Sequence, residues 1–379
     1  MKIVYNIAGT YRPAGMERVL AMKANWLVAH GHQVTIVTTD QRGRESAFAF
    51  DGSIKLVDLG IDYETNNGGS FLNKLIHYPG KQCRHKRRLS RLLEELRPDV
   101  TVSMFCNDAS FIPKIKDGSR KVLEIHFSRF KRLQYGRKGL WALADRFLSA
   151  KDARTARKFD RFVVLTEEDR NYWGEIPNIC VIPNSRTFKF DRPTSLDSRM
   201  VLAAGRYGHQ KNFQALIEAW DKVDESVRKG WTLRIAGDGE DRASLEEMIQ
   251  SRGLKDSVVL GPSDNMKELY STASIFALSS RYEGLPMVLL EAQAAGIPIV
   301  SYRCKCGPLD VVSDGKDGIL VEEGDTGAFA AALEKLMSDD ALRHRMGAAA
   351  YSASDRYDEE GIMQKWEELF SGICQNAGR

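Results

Sequence analysis

Two α/β domains, each built on a doubly wound parallel sheet, are what this sequence predicts, and three observations predict them. Short apolar runs alternate with helical patterns from the first residues onward. The same alternation restarts at Met200, after a polar connection over Ser185–Ser198. The 379 residues also exceed what one ordinary core organises.

Lys2–Ala8 reads as the first strand, followed by a glycine-bearing turn over Gly9–Gly15. A helix with Met16, Val19, Leu20, Trp26 and Leu27 comes next. Gly15 lets backbone approach a ligand at the helix entrance, where Ala14-Gly15-Met16-Glu17 stands. His32–Thr39 and Ile54–Leu59 are the second and third strands, and Tyr63–Ser70 is a polar loop. No G-x-G-x-x-G follows the first strand, which disfavours a dinucleotide site. Phe71–Leu96 is helical, with Leu89, Leu92, Leu93 and Leu96 at helical spacing. Val100–Phe105 and Lys121–Phe127 are strands, and His126 stands near the carboxyl end of the latter, where ligands collect in such sheets. A lone histidine there is otherwise a packed one. Arg161–Leu165 is a further strand, and Thr166 caps a helix with acids in its first turn.

The second domain opens with the strand Met200–Ala204. The turn Gly205–Asn212 and a helix over Phe213–Val223 follow. Arg206 and Lys211 flank that turn, and two cations beside a helix N-terminus suit a diphosphate. Trp231–Ala236 ends in the glycine turn at Gly237, and Ser257–Leu260 ends at Gly261-Pro262-Ser263. Ile275–Leu278 is a buried strand, and Gly284 and Pro286 open the helix MVLLEAQAA. The strand IPIVSY, a short helix at Gly307–Asp310, the strand Gly318–Val321 and helices over Ala328–Met337 and Tyr357–Phe370 complete the chain. The expected boundaries are 1–188 for the first domain, 189–355 for the second and 356–379 for a terminal helix.

Composition is that of an ordinary soluble chain, 43% hydrophobic and 28% charged. No run approaches the roughly 20 apolar residues of a spanning helix. The N-terminus lacks signal-peptide organisation, so a cytoplasmic protein is expected. The six cysteines follow neither zinc nor redox spacing, and no metal or disulfide is expected. The net charge of +4 is unevenly spread: Lys81–Arg97 holds seven cations against two Glu, and Ser128–Arg161 eleven against three Asp. Arg129 to Phe147 interleaves these cations with aromatics, a pattern suited to single-stranded nucleic acid or to an amphipathic helix at a membrane surface. A solvated structural face is the plain alternative.

Two carboxylates sit unusually around the strand–turn–helix at 275–295. Glu283 lies in the turn, and Glu291 lies five residues past Pro286, about 7.5 Å along the helix. Between them the helix N-terminus offers amides at Leu285, Met287 and Val288 and the positive end of a dipole. A diphosphate held there would leave Glu291 beside a ribose and Glu283 beside a sugar. Taken alone, both fit a solvated turn and an exposed helix face.

EGLPMVLLE resembles the E-x7-E motif of the retaining glycosyltransferases of family 4, which have the GT-B fold: two Rossmann-like domains, a cleft between them and a C-terminal crossover helix. G-R-x4-K-N of that family is matched at Gly205, Arg206, Lys211 and Asn212. Gly-Gly-x-Glu is matched at Gly15 and Glu17, with Ala14 for the first glycine. The resemblance implies that Glu283 lies near the donor sugar, that Glu291 holds the ribose hydroxyls, and that the amides of Gly284 to Val288 hold the diphosphate. It further implies leaving-group stabilisation by Arg206 and Lys211 without a metal or other cofactor. Gly15, Gly237 and Pro262 fall on the donor side, with Pro262 near the base, and His126 falls on sugar positioning and charge stabilisation. Glu17, Arg129 and Lys131 fall on the acceptor side. The implied reaction moves a sugar from a nucleotide diphosphate, UDP in the first instance, to a hydroxyl of a glycan. The implied acceptor is a polyprenyl-diphosphate-linked saccharide of surface polysaccharide or lipopolysaccharide assembly, reached by peripheral attachment to the inner membrane face. The rivals are a GT-B epimerase of free nucleotide sugars and a non-enzymatic basic module binding nucleic acid or membrane.

Overall fold

The computed structural model describes residues 1–66, 71–130 and 139–375, and their side chains except at 66, 71–76, 140–142 and 144. The chain forms two compact units. One holds Met1–Leu165, Arg170–Ile182 and Ile362–Arg379; the other holds Thr166–Asp169 and Pro183–Gly361. The chain therefore leaves the first unit at Pro183 and returns at Ile362, a few residues from the expected 189 and 356.

The first unit carries seven parallel strands: β1 Lys2–Ile7, β2 Gln33–Thr38, β3 Lys55–Asp58, β4 Val100–Ser103, β5 Arg120–Glu124, β6 Arg161–Val164 and β7 Ile179–Val181. Their order is β3-β2-β1-β4-β5-β6-β7. β1 and β2 are buried at five of six positions, because helices cover both sheet faces. The edge strand β3 is largely exposed. Leu20, Ala24 and Leu27 of the helix Gly15–Ala29 cover one face. The C-terminal helix Glu359–Gln375 joins that same core through Ile362, Met363, Trp366, Phe370 and Ile373, a stripe at three- and four-residue spacing. Leu89 and Leu93 of the helix Phe71–Leu96 and Ala156 of the helix Leu140–Ala156 belong to the core on the other face.

The second unit carries β8 Met200–Ala204, β9 Thr232–Ala236, β10 Val258–Gly261, β11 Ile275–Leu278, β12 Ile299–Tyr302 and β13 Gly318–Val321. All are parallel, in the order β10-β9-β8-β11-β12-β13. In both sheets the winding reverses beside the first strand, between β1 and β4 and between β8 and β11. Carboxyl ends of strands at such a reversal are where ligands bind in open α/β sheets. Two such units, with the last helix returned to the first, are the GT-B fold.

Twelve of the strands fall where the apolar runs place them. β7, a three-residue apolar run at the sheet edge beside β6, was not expected, because so short a run before Pro183 reads as connection. The helices Arg242–Ser251, Met266–Thr272 and Asp340–Ala353 were also not expected. The polar loop expected over Tyr63–Ser70 begins as a single 3-10 turn, Tyr63–Asn66. Its remainder lies outside the described residues, as do Lys131, Arg132, Tyr135, Arg137 and Lys138 of the basic–aromatic stretch. All six cysteines are free. No helix among the described residues is long and apolar enough to cross a membrane.

Candidate active site

In the second unit, Lys211 follows β8 and Glu283 follows β11, the two strands that flank the reversal. Their meeting is therefore a product of sheet order. Lys211 Nζ donates to Glu283 Oε1 at 2.7 Å, and Ser280 Oγ donates to the same oxygen at 2.6 Å. Gln210 Nε2 reaches Glu283 Oε2 at 3.4 Å and the Tyr282 carbonyl at 3.1 Å. Three more bonds stitch the two turns together. The Arg281 amide donates to the Gln210 carbonyl, Arg281 Nη2 to Asn212 Oδ1, and Ser279 Oγ to the Lys211 carbonyl. Asn212 is left-handed (φ 52°), a conformation asparagine tolerates better than most residues. The Glu283–Lys211 pair is largely but not fully dry, with side-chain exposures of 8% and 16%.

The helix Met287–Ala294 begins just after Glu283, and no side chain caps its first turn. Its N-terminal end has the free amides and the positive dipole end that favour an anion. Gly307, at φ 100°, backs this turn; a Cβ there would fall 2.3 Å from Pro286 Cδ. Leu285 is buried. Glu291, on the same helix, is buried rather than exposed, and it accepts from the Tyr270 hydroxyl at 2.7 Å.

Arg206 flanks the same turn but stands apart from the Lys211–Glu283 pair. Its side chain is 78% exposed and pairs with Glu240 at 3.0 Å, so the structure brings Lys211, and not Arg206, to the carboxylate. Gly237 has a packing reason: a Cβ would sit 1.9 Å from the Gly205 carbonyl oxygen, where the turns after β8 and β9 touch. The Pro262 carbonyl accepts from Arg234 Nη2 at 3.0 Å. Sequence reasoning missed Tyr270, Ser280, Gln210 and Tyr207. The buried Tyr207 hydroxyl bridges the Ile235 carbonyl of β9 and the Gly261 amide of β10, both at 2.8 Å, and so ties its own turn to the ends of two strands.

In the first unit, His126 lies two residues beyond β5. Its Nε2 is 2.9 Å from Glu124 Oε1, in contact but without the alignment of a hydrogen bond. Gly15 is the first residue of its helix, and Glu17 is buried, its carboxyl pushed up by that burial. Arg129 Nη1 donates to the Trp173 carbonyl at 3.0 Å. Arg129 also lines a cavity of about 790 Å³ together with Phe105, Asn107, Phe127, Asp145 and Trp173. Among the described residues no group of three or more His, Cys, Asp or Glu side chains is placed to hold a metal ion.

A buried acid–base pair at a sheet reversal, beside an uncapped helix, on a two-unit GT-B fold defines a class of enzymes that handle phosphorylated or nucleotide-linked substrates. The known proteins narrow it. The family model "Glycosyl transferases group 1" matches residues 184–353, and "Glycosyltransferase Family 4" matches residues 13–185. The chain belongs to this family of glycosyltransferases. It is 35% identical over 223 residues to the amylovoran biosynthesis glycosyltransferase AmsD of Erwinia amylovora, covering 56% of this chain and 62% of AmsD. The chain thus spans less than two thirds of that relative. It is 28% identical over 98% of its length to a Campylobacter jejuni enzyme, of which it covers 99%. That enzyme is an α-1,4-N-acetyl-D-galactosaminyltransferase named for an undecaprenol-diphosphate-linked saccharide. Among solved structures, Staphylococcus aureus TarM in complex with fondaparinux, α-GlcNAc-glycerol and UDP superposes with a TM-score of 0.75. It is 17% identical, with coverage of 97% of this chain and 99% of that chain.

Proposed function

We propose that this protein transfers a hexosyl group from a nucleotide diphosphate sugar, UDP-linked in the first instance, to a hydroxyl of a lipid-linked saccharide, with retention of anomeric configuration. The observation that carries this reading is the Lys211–Glu283–Ser280 cluster at the start of the uncapped helix Met287–Ala294. The diphosphate sits on the amides of Gly284, Leu285, Met287 and Val288. Lys211 faces the charge that develops on the leaving diphosphate, and no metal is required for that stabilisation. Glu291 takes the ribose hydroxyls, with Tyr270 holding its other oxygen side. Glu283 orients the sugar, and His126 is the sugar-facing group of the first unit. Gly15 and Pro262 belong to the donor side, and Glu17, Arg129 and Lys131 to the acceptor side.

The test begins with a thermal-shift screen of nucleotide sugars, followed by hydrolysis and transfer assays of the best one, with the product anomer read by NMR. Tight UDP binding, turnover undiminished by EDTA and a retained anomer are expected. Absence of any nucleotide-sugar binding would reject the reading.

The acceptor reading has its own support. Leu143 and Phe147 stand one helical turn apart, 60% and 65% exposed, beside the exposed Arg146, Lys151 and Arg154. Arg84, Arg87 and Arg91 are exposed on the helix Phe71–Leu96, which packs on the same sheet face. Apolar anchors among cations suit an anionic bilayer surface, each cation contributing about 1 kcal/mol. We therefore infer peripheral attachment at the inner membrane face. Sedimentation with phosphatidylglycerol vesicles should recover the protein, and Leu143→Ser with Phe147→Ser should release it. Equal recovery with zwitterionic vesicles would count against the inference.

A further inference from the structure

A chain of buried groups runs beneath His126 in the first unit. Glu124 ends β5, and strand alternation sets it on the same side as His126, two residues on. Lys23, on the helix Gly15–Ala29, donates to both carboxylate oxygens of Glu124, at 2.8 and 2.7 Å. Lys23 and Glu124 are only 4% and 1% exposed. The Trp366 ring of the C-terminal helix covers the ammonium, its centroid 3.3 Å from Nζ, and the Tyr5 ring stands 5.4 Å away. Burial pulls the Lys23 ammonium down to about 8. Burial pushes the Glu124 carboxyl up, and Lys23 and His126 outweigh it to hold the group at about 2. Tyr5 and Glu17 also lie within electrostatic reach of this chain.

A dry ion pair contributes little that two apolar side chains would not. Its placement against His126 is therefore the informative part. We infer that Lys23, Glu124 and Trp366 are positioning residues for His126. The ammonium keeps the carboxylate in place, the carboxylate holds the proton on Nε2, and Nδ1 is left as the ring's acceptor. The contact at 2.9 Å is not yet aligned, which is common before substrate binds. Through Trp366 the C-terminal helix becomes part of this assembly. The inference rests on His126 being the sugar-facing group.

The experiment compares four variants: Lys23→Met with Glu124→Met, His126→Ala, Trp366→Phe and Trp366→Leu. The double variant replaces the ion pair by an apolar one and is expected to fold. UDP affinity by calorimetry should stay within about twofold, and kcat for hydrolysis of UDP-glucose or UDP-N-acetylglucosamine should fall on the order of 100-fold. Trp366→Phe keeps an aromatic face over the ammonium and should keep turnover, whereas Trp366→Leu should lose about tenfold. A double variant that turns over like wild type while His126→Ala is slow overturns the positioning role alone. Wild-type turnover by His126→Ala overturns the reading of His126 as well. If the double variant does not fold, equal turnover of the two Trp366 variants overturns the inference.

Discussion

A Lys–Glu pair at 2.7 Å stands in each unit, and the two pairs are not alike. Lys23–Glu124 is closed on all sides, with an aromatic ring over the ammonium. Lys211–Glu283 keeps 16% and 8% exposure and stands beside a helix start that nothing caps. A closed pair has no partner to exchange, so it holds geometry. An open one can trade its carboxylate contact for a phosphate oxygen at small cost, since the cation stays paired throughout. Equal distances thus encode different duties, and burial decides between them.

Substitutions separate the two duties. The largest expected effect is at Lys211. Lys211→Ala should lower turnover on the order of 1000-fold, as removal of a charge-stabilising donor does, with a smaller loss in urea unfolding than Lys23→Met, because Ser280 and Gln210 still donate to Glu283. A merely structural Lys211 would show the reverse. Lys23→Met alone should instead cost about 3–5 kcal/mol of stability, because it strands a buried carboxylate. Denaturant unfolding unchanged from wild type would contradict that.

The dry interior of the first unit also predicts an acid response. Burial lowers His85 from 6.5 to about 4, so its contribution is present above pH 6.5 and is lost as pH falls toward about 4. Burial raises Asp108 from 3.8 to about 7, so its contribution is present below 3.8 and is lost as pH rises through about 7. The two oppose each other in the window between. Asp108→Asn removes one side, and stability of this variant should drop by about 2 kcal/mol from pH 6.5 to about 4.5, more steeply than wild type. Parallel pH curves for the two proteins would dismiss the opposition. The smallest effect is expected at Arg206, which is exposed and bound to Glu240. Arg206→Ala should slow turnover only about threefold, and a loss as large as that of Lys211→Ala would show that it swings onto the ligand.

Much of this architecture was legible in the chain because its strands are short apolar runs bounded by glycine and proline. Met200–Ala204, Ile275–Leu278 and Gly318–Val321 match their strands residue for residue. β7 escaped because its apolar run is only three residues long, Ile-Cys-Val, half-buried at the sheet edge and close to Pro183, so it reads as part of the connection. The motif turns around Lys211 and Glu283 were also readable, since each is local. What Arg206 touches was not, because a long exposed side chain is placed by whichever carboxylate lies nearest. Tyr270 and Tyr207 carried no local signal, since an aromatic at helical or turn spacing looks like core. Glu124, a carboxylate inside the apolar run KVLEIHF, was a visible anomaly; its partner was not.

The sequence by itself determined the periodicities, the turns and therefore two parallel doubly wound sheets, since these depend on neighbours a few residues apart. Only the tertiary structure decided which charges meet. Lys23, on a helix that covers the sheet, finds Glu124 at the end of β5 across 101 residues, and Lys211 finds Glu283 across 72 because parallel crossovers bring the ends of β8 and β11 together. Pairing at that range is a consequence of sheet order and burial, and no local pattern records either.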